Sequence, residues 1–404
     1  MFSIKDIKRI LDSVENFREE MVKFMLDFIP LKGIGPDNGG EGEAEKASFI
    51  EDFLSREGLD FGKYPSPDER VPSGERPNIV VRYQGNSSRT LWIVSHMDIV
   101  PPGDLSAWNS DPFKPVIRDG KIYGRGTEDD GQGIVSSLFA LKVLKDLEIT
   151  PDLSLGIALV SDEETGSLHG IEHLLNSGVF DEEDMVLVPD AGNSEGTMIE
   201  VAEKGILWLK FTVKGKQTHA SMPHLGVNAR RLGARLTIDV DELLHSRFDL
   251  TDDMFDPPRS TFEPTKVEAN VENVNTVPGK DVFYFDCRVL PSYSLDDVIS
   301  AVGELKSKYD FDLEVIARGE PSSTDPNAEI VRRIKEAVRI SRNKVARPMG
   351  IGGGTCAAHF RRRGIQAAVW MTTDDTAHQP NEYCVIRNLV EDAKVMALLP
   401  VLEI

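Results

Sequence analysis

Residues 90–98 read Thr-Leu-Trp-Ile-Val-Ser-His-Met-Asp (TLWIVSHMD). The first six form an apolar, β-branched run of strand length, and His96 and Asp98 follow it at once. Two further stretches repeat the arrangement. Leu153–Ser161 (LSLGIALVS) leads into Asp162, Glu163 and Glu164, and Met185–Pro189 (MVLVP) leads into Asp190. In open α/β sheets, ligand sites lie beyond the carboxyl ends of the strands. Three polar clusters at three such ends would converge on one crevice. Between the first two runs, Gly131–Leu147 (GQGIVSSLFALKVLKDL) carries a helical pattern. Asp129 sits just before it, where the positive end of the helix dipole favours an ionised carboxylate.

Outward from this centre, Ile7, Ile10, Leu11, Val14, Phe17, Met21, Phe24, Met25 and Phe28 recur at helical spacing. They predict one amphipathic opening helix over residues 4–30, ended near Pro30. Residues 33–42 read as a loop, and Glu43 to Glu57 as a helix. The rhythm changes between 207 and 317: strand Leu207–Val213, helix Asn228–His245, strands Thr265–Val271 and Val282–Val289, helix Leu295–Tyr309, strand Asp312–Ala317. Two helices against four strands read as a small α+β sandwich. After 318 the pattern returns to α/β. The expected fold class is α/β, a mixed, mostly parallel sheet with helices on both faces and an inserted α+β sandwich as a lid. The expected domains are a catalytic domain in two parts, 1–206 and 318–404, and a lid and dimerisation domain at 207–317.

The 404 residues, 40% hydrophobic and 28% charged, have the composition of a soluble globular protein. A formal net charge of −21 argues against nucleic acid and anionic membranes, which select Lys/Arg clusters. Cys287, Cys356 and Cys384 are far apart and form no CxxC pair, which fits a reducing compartment without disulfides. Met1 to Arg9 lacks a basic segment followed by an apolar run, and no apolar run approaches the roughly 20 residues a bilayer needs. The expected location is the cytoplasm.

Zinc accepts imidazole nitrogen and carboxylate oxygen, and catalytic sites keep a position open for water. Two metals held close together need one bridging carboxylate and two further ligands each. His96, Asp129, Glu164, Asp190 and His378 fit that count, with Asp129 as the bridge. Asp98, two residues beyond His96 on an extended segment, can accept the other imidazole N–H. Glu163 and Glu164 are adjacent, so they cannot point the same way along an extended chain. One can bind metal while the other faces the bridging water as general base. HxD, Glu-Glu and His-Gln-Pro each occur often on ordinary surface loops; their order and their places at strand ends give them weight. By the same standard, His169 and His173 belong to an outer helix, Cys356 to packing, and Arg361–Arg363 to a solvated helix face.

Together these residues resemble the zinc metallohydrolase family of acetylornithine deacetylase, succinyl-diaminopimelate desuccinylase, glutamate carboxypeptidase and bacterial dipeptidases. The matching segments, in the family's order, are SHMD (95–98), YGRGTEDD (123–130), SDEETG (161–166), PDAG (189–192), AEKG (202–205), HASMP (219–223), GVNA (226–229), NTVP (275–278), GGGT (352–355) and AHQPNE (377–382). The resemblance implies one zinc on His96, Asp129 and Asp190 and a second on Asp129, Glu164 and His378, with cobalt or manganese as possible substitutes. It implies Glu163 as general base and Asp98 as the carboxylate orienting His96. It also implies that His219 stabilises the oxyanion, often across a dimer interface, that Asn275 and Arg288 touch substrate, and that Gly353, Gly354 and Thr355 line the substrate end. Arg288 suits a bidentate grip on a carboxylate. Two departures bear on substrate: Gly131-Gln132 follows Asp129-Asp130 where the family commonly has Lys-Gly, and Asp190 occupies a position that is typically Asp in the peptidases and Glu in the deacylases.

The expected function is therefore di-zinc hydrolysis of an amide bond in a small substrate bearing a carboxylate, of the dipeptidase or carboxypeptidase kind. The alternative is an N-acyl amino acid deacylase with the same chemistry and a different pocket. A remote alternative is an inactive binding module, which requires a lost ligand or a lost base. The expected partners are a dipeptide or other small molecule and a second copy of the chain, joined through the lid.

Overall fold

The computed structural model describes residues 2–404, so Met1 of the segment read for a leader lies outside it. The chain divides into two units. The first comprises Met1–Val201, Thr324–Pro348 and Thr355–Ile404, and the second Ala202–Ser323 and Met349–Gly354.

The sheet of the first unit runs in the order Phe61–Lys63, Ile79–Tyr83, Ser154–Val160, Thr90–His96, Met185–Gly192, Gln366–Met371, Met198–Glu203. Thr90–His96 and Ser154–Val160 are buried at every residue, as central strands with both faces covered must be. The pairs from Ser154–Val160 through Gln366–Met371 are parallel, and the outer pairs are antiparallel. The sheet is thus mixed, with a parallel centre instead of a mostly parallel whole. The connections explain this. The helix Gln132–Asp146 carries the chain from Thr90–His96 back to a parallel neighbour, whereas Met198–Glu203 follows Met185–Gly192 after a short turn and returns antiparallel.

Alternation along the strands sends side chains to two layers. Trp92, Val94, Ala158, Val160, Val186 and Val188 pack with Ile171, Leu174, Ala357 and Phe360 on one face. The helix Gln132–Asp146 crosses Thr90–His96 and Ser154–Val160, and is itself covered by Ile386–Leu398 and the two opening helices. It is buried nearly all round, so its apolar residues form no single stripe. The opening segment is two helices, Ile4–Asn16 and Arg18–Phe28, where the periodicity predicted one. The break falls at Phe17, whose backbone leaves the helical region (φ −86°, ψ 2°) while its ring packs on Phe139.

The second unit is a four-stranded antiparallel sheet in the order Thr261–Val267, Lys280–Val289, Gly205–Lys214, Phe311–Gly319. Leu207, Leu209, Phe211, Val213, Phe283, Phe285 and Cys287 form its buried face. Leu236, Val240 and Leu244 of the helix Ala229–Arg247 and Val298, Ala301 and Val302 of Leu295–Glu304 complete that core. Sequence periodicity placed the edge strand at Thr265–Val271, but it occupies Thr261–Val267 with a register shift between Pro264 and Lys266. Proline donates no ladder hydrogen bond, and an edge strand tolerates it. Among the described residues no helix is long and apolar enough to cross a membrane.

Candidate metal centre

The carboxyl ends of the parallel strands deliver the expected ligands to one place in the first unit. His96 ends its strand and is buried, Asp190 lies within Met185–Gly192, and Asp129 stands just before the helix Gln132–Asp146. Two sets of side chains meet there: His96, Asp129 and Asp190, and Asp129, Glu164 and His378. Asp129 belongs to both. Its Oδ1 lies 2.8 Å from His96 Nε2 and its Oδ2 3.0 Å from His378 Nε2. Asp190 Oδ1 lies 3.7 Å from His96 Nε2, and Glu164 Oε1 3.1 Å from His378 Nε2. His378 is half exposed and marks the open side, whereas His96 is 3% exposed.

The 2.8 Å approach of His96 Nε2 to Asp129 Oδ1 lacks hydrogen-bond geometry, and both buried atoms are left without a hydrogen-bond partner. Buried polar atoms are normally satisfied. Two orphans aimed into the same space, each of a type that ligates divalent metals, fit a cation shared between them. The electrostatics agree. Burial pushes the Glu163 and Glu164 carboxyls up, the neighbouring Asp190 charge adding to it at Glu163. Burial opposes a charged His96, but the carboxylates of Asp129, Asp190 and Asp98 outweigh it and raise its pKa. Contacts with Asp129 and Glu164 push His378 up to about 10. Such crowding of carboxylates around two imidazoles is a setting in which a cation replaces protons.

Asp98 sits beside His96. His96 Nδ1 is 3.0 Å from the backbone carbonyl of Asp98 and 3.5 Å from its carboxylate. The strand stops at His96, and the turn that follows brings both the carbonyl and the carboxylate of Asp98 to the Nδ1 side of the ring. The carboxylate also accepts the backbone N–H groups of Glu163 and Glu164, each at 3.0 Å. It thereby fixes the turn Glu163–Thr165 from which the two side chains diverge. Glu164 reaches His378, and the Glu163 carboxylate makes no hydrogen bond or ion pair among the described residues. Asp98→Ala should weaken metal binding by about 10–100-fold, the usual effect of losing a group that supports ligands. Competition with a chelator measures it, and an unchanged affinity would remove Asp98 from the centre.

Three carboxylates that sequence reasoning passed over hold the ligands from behind. Asp130 accepts the backbone N–H groups of His96 and Gly133, each at 3.2 Å. A Cβ at Gly133 would lie 2.1 Å from Asp130 Oδ1, so glycine is required at this approach. Glu382 accepts the N–H groups of Glu128 and Asp129 and pairs with Arg125. Glu128 accepts the N–H groups of Asp374, Thr376 and Ala377, and so shapes the loop that ends in His378. All three lie within or beside the quoted TEDD and PNE motifs, which was the available signal.

The other candidates are divided between the two units. His219, Asn275, Arg288, Gly353 and Gly354 belong to the second unit and Thr355 to the first. His219 Nδ1 accepts the backbone N–H of Ser221 at 3.2 Å, which assigns the ring proton to Nε2. The Asn275 carbonyl accepts the N–H of Ala220 at 2.8 Å. Arg288 pairs with Asp286 on its own strand. A Cβ at Gly353 would meet nothing within 4 Å, so packing does not account for that glycine. His169 is bonded to Ser66, His359 to Glu172, and Cys356 is buried. Arg361 is no solvated helix residue: it is 9% exposed and grips both oxygens of Glu200, because its short helix packs onto the sheet.

Two ligand sets sharing one carboxylate at the ends of parallel strands make a metallohydrolase centre of the α/β class. The chain belongs to peptidase family M20/M25/M40, whose profile matches residues 92–400. An uncharacterized metallohydrolase of Methanocaldococcus jannaschii is 40% identical over 400 residues, covering 93% of this chain and 98% of that one. A succinyl-diaminopimelate desuccinylase of Nitratiruptor is 27% identical over 368 residues, covering 90% and 94%. The crystal structure of an M20 family metallo-carboxypeptidase from Sulfolobus solfataricus shares the fold, with a TM-score of 0.74 at 19% identity, covering 95% of this chain and all of that one. The protein is accordingly an enzyme, a metal-dependent hydrolase.

Proposed function

We propose that the enzyme uses two divalent cations, zinc in the first instance, to hydrolyse the amide bond of a dipeptide or of a peptide's carboxyl-terminal residue. The shared position of Asp129, with its two oxygens turned to different histidines, carries this reading. Cations held there would acidify water and polarise the scissile carbonyl. Glu163 then takes the proton of the attacking water at its carboxylate and passes it to the leaving amine. His219 donates from Nε2 to the oxyanion, with Asn275 beside the substrate. Arg288 and the N–H groups of Gly353, Gly354 and Thr355 bind the substrate carboxylate. Asp190, typical of the peptidases, favours a peptide; the desuccinylase relatives favour an N-acyl amino acid as the second reading. The free cysteines fit a reducing cytoplasm.

A panel of dipeptides and N-acyl amino acids, assayed with zinc, cobalt and manganese, separates the two readings. A substrate with a free carboxylate should be cleaved one to two orders of magnitude more efficiently than its amide, because a charged hydrogen bond contributes roughly 1.5–3 kcal/mol. Equal rates on both would remove the carboxylate grip. The enzyme should also run as a dimer through its second unit in light scattering; a fully active monomer would mean that His219 acts within its own chain or not at all.

A further inference from the structure

Arg288 is surrounded in a way that its role in binding substrate does not by itself require. Its strand Lys280–Val289 pairs with Gly205–Lys214, setting Arg288 opposite Ile206 and Asp286 opposite Trp208. These residues alternate with the buried Leu207, Leu209, Phe285 and Cys287 and so project from the open face of the sheet. Arg288 Nε donates to Asp286 Oδ1 at 2.6 Å, and Nη2 donates to Asp286 Oδ2 at 3.1 Å. Nη1 donates to the carbonyl of Gly352 at 3.0 Å, at the start of the glycine-rich loop. The Trp208 indole N–H donates to Asp286 Oδ2 at 2.9 Å and holds the aspartate in turn. The ion pair is about a quarter exposed on each side, so water and small solutes reach it.

A guanidinium has five N–H donors. Three are engaged among the described residues, leaving one on Nη1 and one on Nη2, the two nitrogens through which arginine can grip a carboxylate in bidentate fashion. We propose that Asp286 is a positioning residue: it holds Arg288 along the Nε edge and, with Gly352, turns the remaining fork toward the substrate carboxylate. This rests on the reading of Arg288 as the carboxylate-binding group. Asp286 and the substrate would use different edges, so neither displaces the other. The guanidinium is ordered before substrate arrives, which spares the entropy of fixing a long side chain at binding.

The test measures kcat and KM on a dipeptide and on its carboxyl-terminal amide, for wild type, Asp286→Ala, Asp286→Asn and Trp208→Phe. Asp286→Ala should raise KM for the free-acid substrate by about tenfold, with kcat nearly unchanged and KM for the amide unmoved. Asp286→Asn, close in shape, should shift KM the same way by a smaller factor, and Trp208→Phe by less again. If Asp286→Ala does not fold, Asp286→Asn decides. Acid-to-amide ratios at the wild-type value in the Asp286 variants would overturn the proposal. A lowered KM for the acid would also overturn it, because Asp286 would then be a competitor for Arg288. A wild type that treats acid and amide alike would instead overturn the carboxylate reading of Arg288, so the two failures are distinguishable.

Discussion

Glu163→Gln should lower turnover by about 10²–10⁴-fold, the contribution typical of general-base catalysis, while leaving metal content and fold intact. The side chain stands at the metal centre without a structural job: its carboxylate has no hydrogen bond or ion pair among the described residues. Its backbone is fixed independently, through the N–H that Asp98 accepts. Glutamine matches it in shape, so the turn Glu163–Thr165 has no cause to move. Burial and the Asp190 charge push the Glu163 pKa up. Single-turnover rates, metal analysis and thermal unfolding on the same preparation test this. A variant within a few-fold of the wild-type rate would take the proton transfer away from Glu163.

Asp129→Asn should cost more, because one group serves both ligand sets. An amide offers one neutral oxygen in place of two charged ones, so it cannot bridge His96 and His378 as the carboxylate can. Metal content after gel filtration should fall from two ions per chain to one or none, with turnover lost in step. The backbone N–H of Asp129 stays bonded to Glu382, so the fold should survive. Two tightly held ions in the variant would show that Asp129 is not the bridge.

Much of this centre was legible because strand ends announce it. His96, Asp129, Glu164, Asp190 and His378 each follow a strong periodic run or sit in a short motif, and order along the chain links them. The supporting groups Glu128, Asp130 and Glu382 stand in or beside quoted motifs, but what they hold is not legible, since burial of a charged residue leaves no periodic mark. Lys46 lies in the helix Ala44–Arg56 and reads as ordinary surface, yet it is 2% exposed, with its ammonium over the Phe28 ring, and burial lowers its pKa to about 8. Glu43 of the preceding residues pairs with Arg76, both fully buried, across a sequence gap that no local pattern bridges. Asp98 is legible beside His96, but its hold on the N–H groups of Glu163 and Glu164 is not. Alternation places side chains only while the chain stays extended, and the strand ends at His96. Arg361 likewise fits a solvated helix by composition, and only the sheet beneath it reveals Glu200 as its partner.

Anomalous diffraction at the zinc edge, on crystals of the zinc-loaded enzyme, bears most directly on the claim that five side chains hold two cations around one shared aspartate. The expected result is two peaks about 3.5–4 Å apart, one beside His96 and Asp190, the other beside Glu164 and His378, with Asp129 between them. A single peak, or a pair in which Asp129 contacts neither ion, would contradict it.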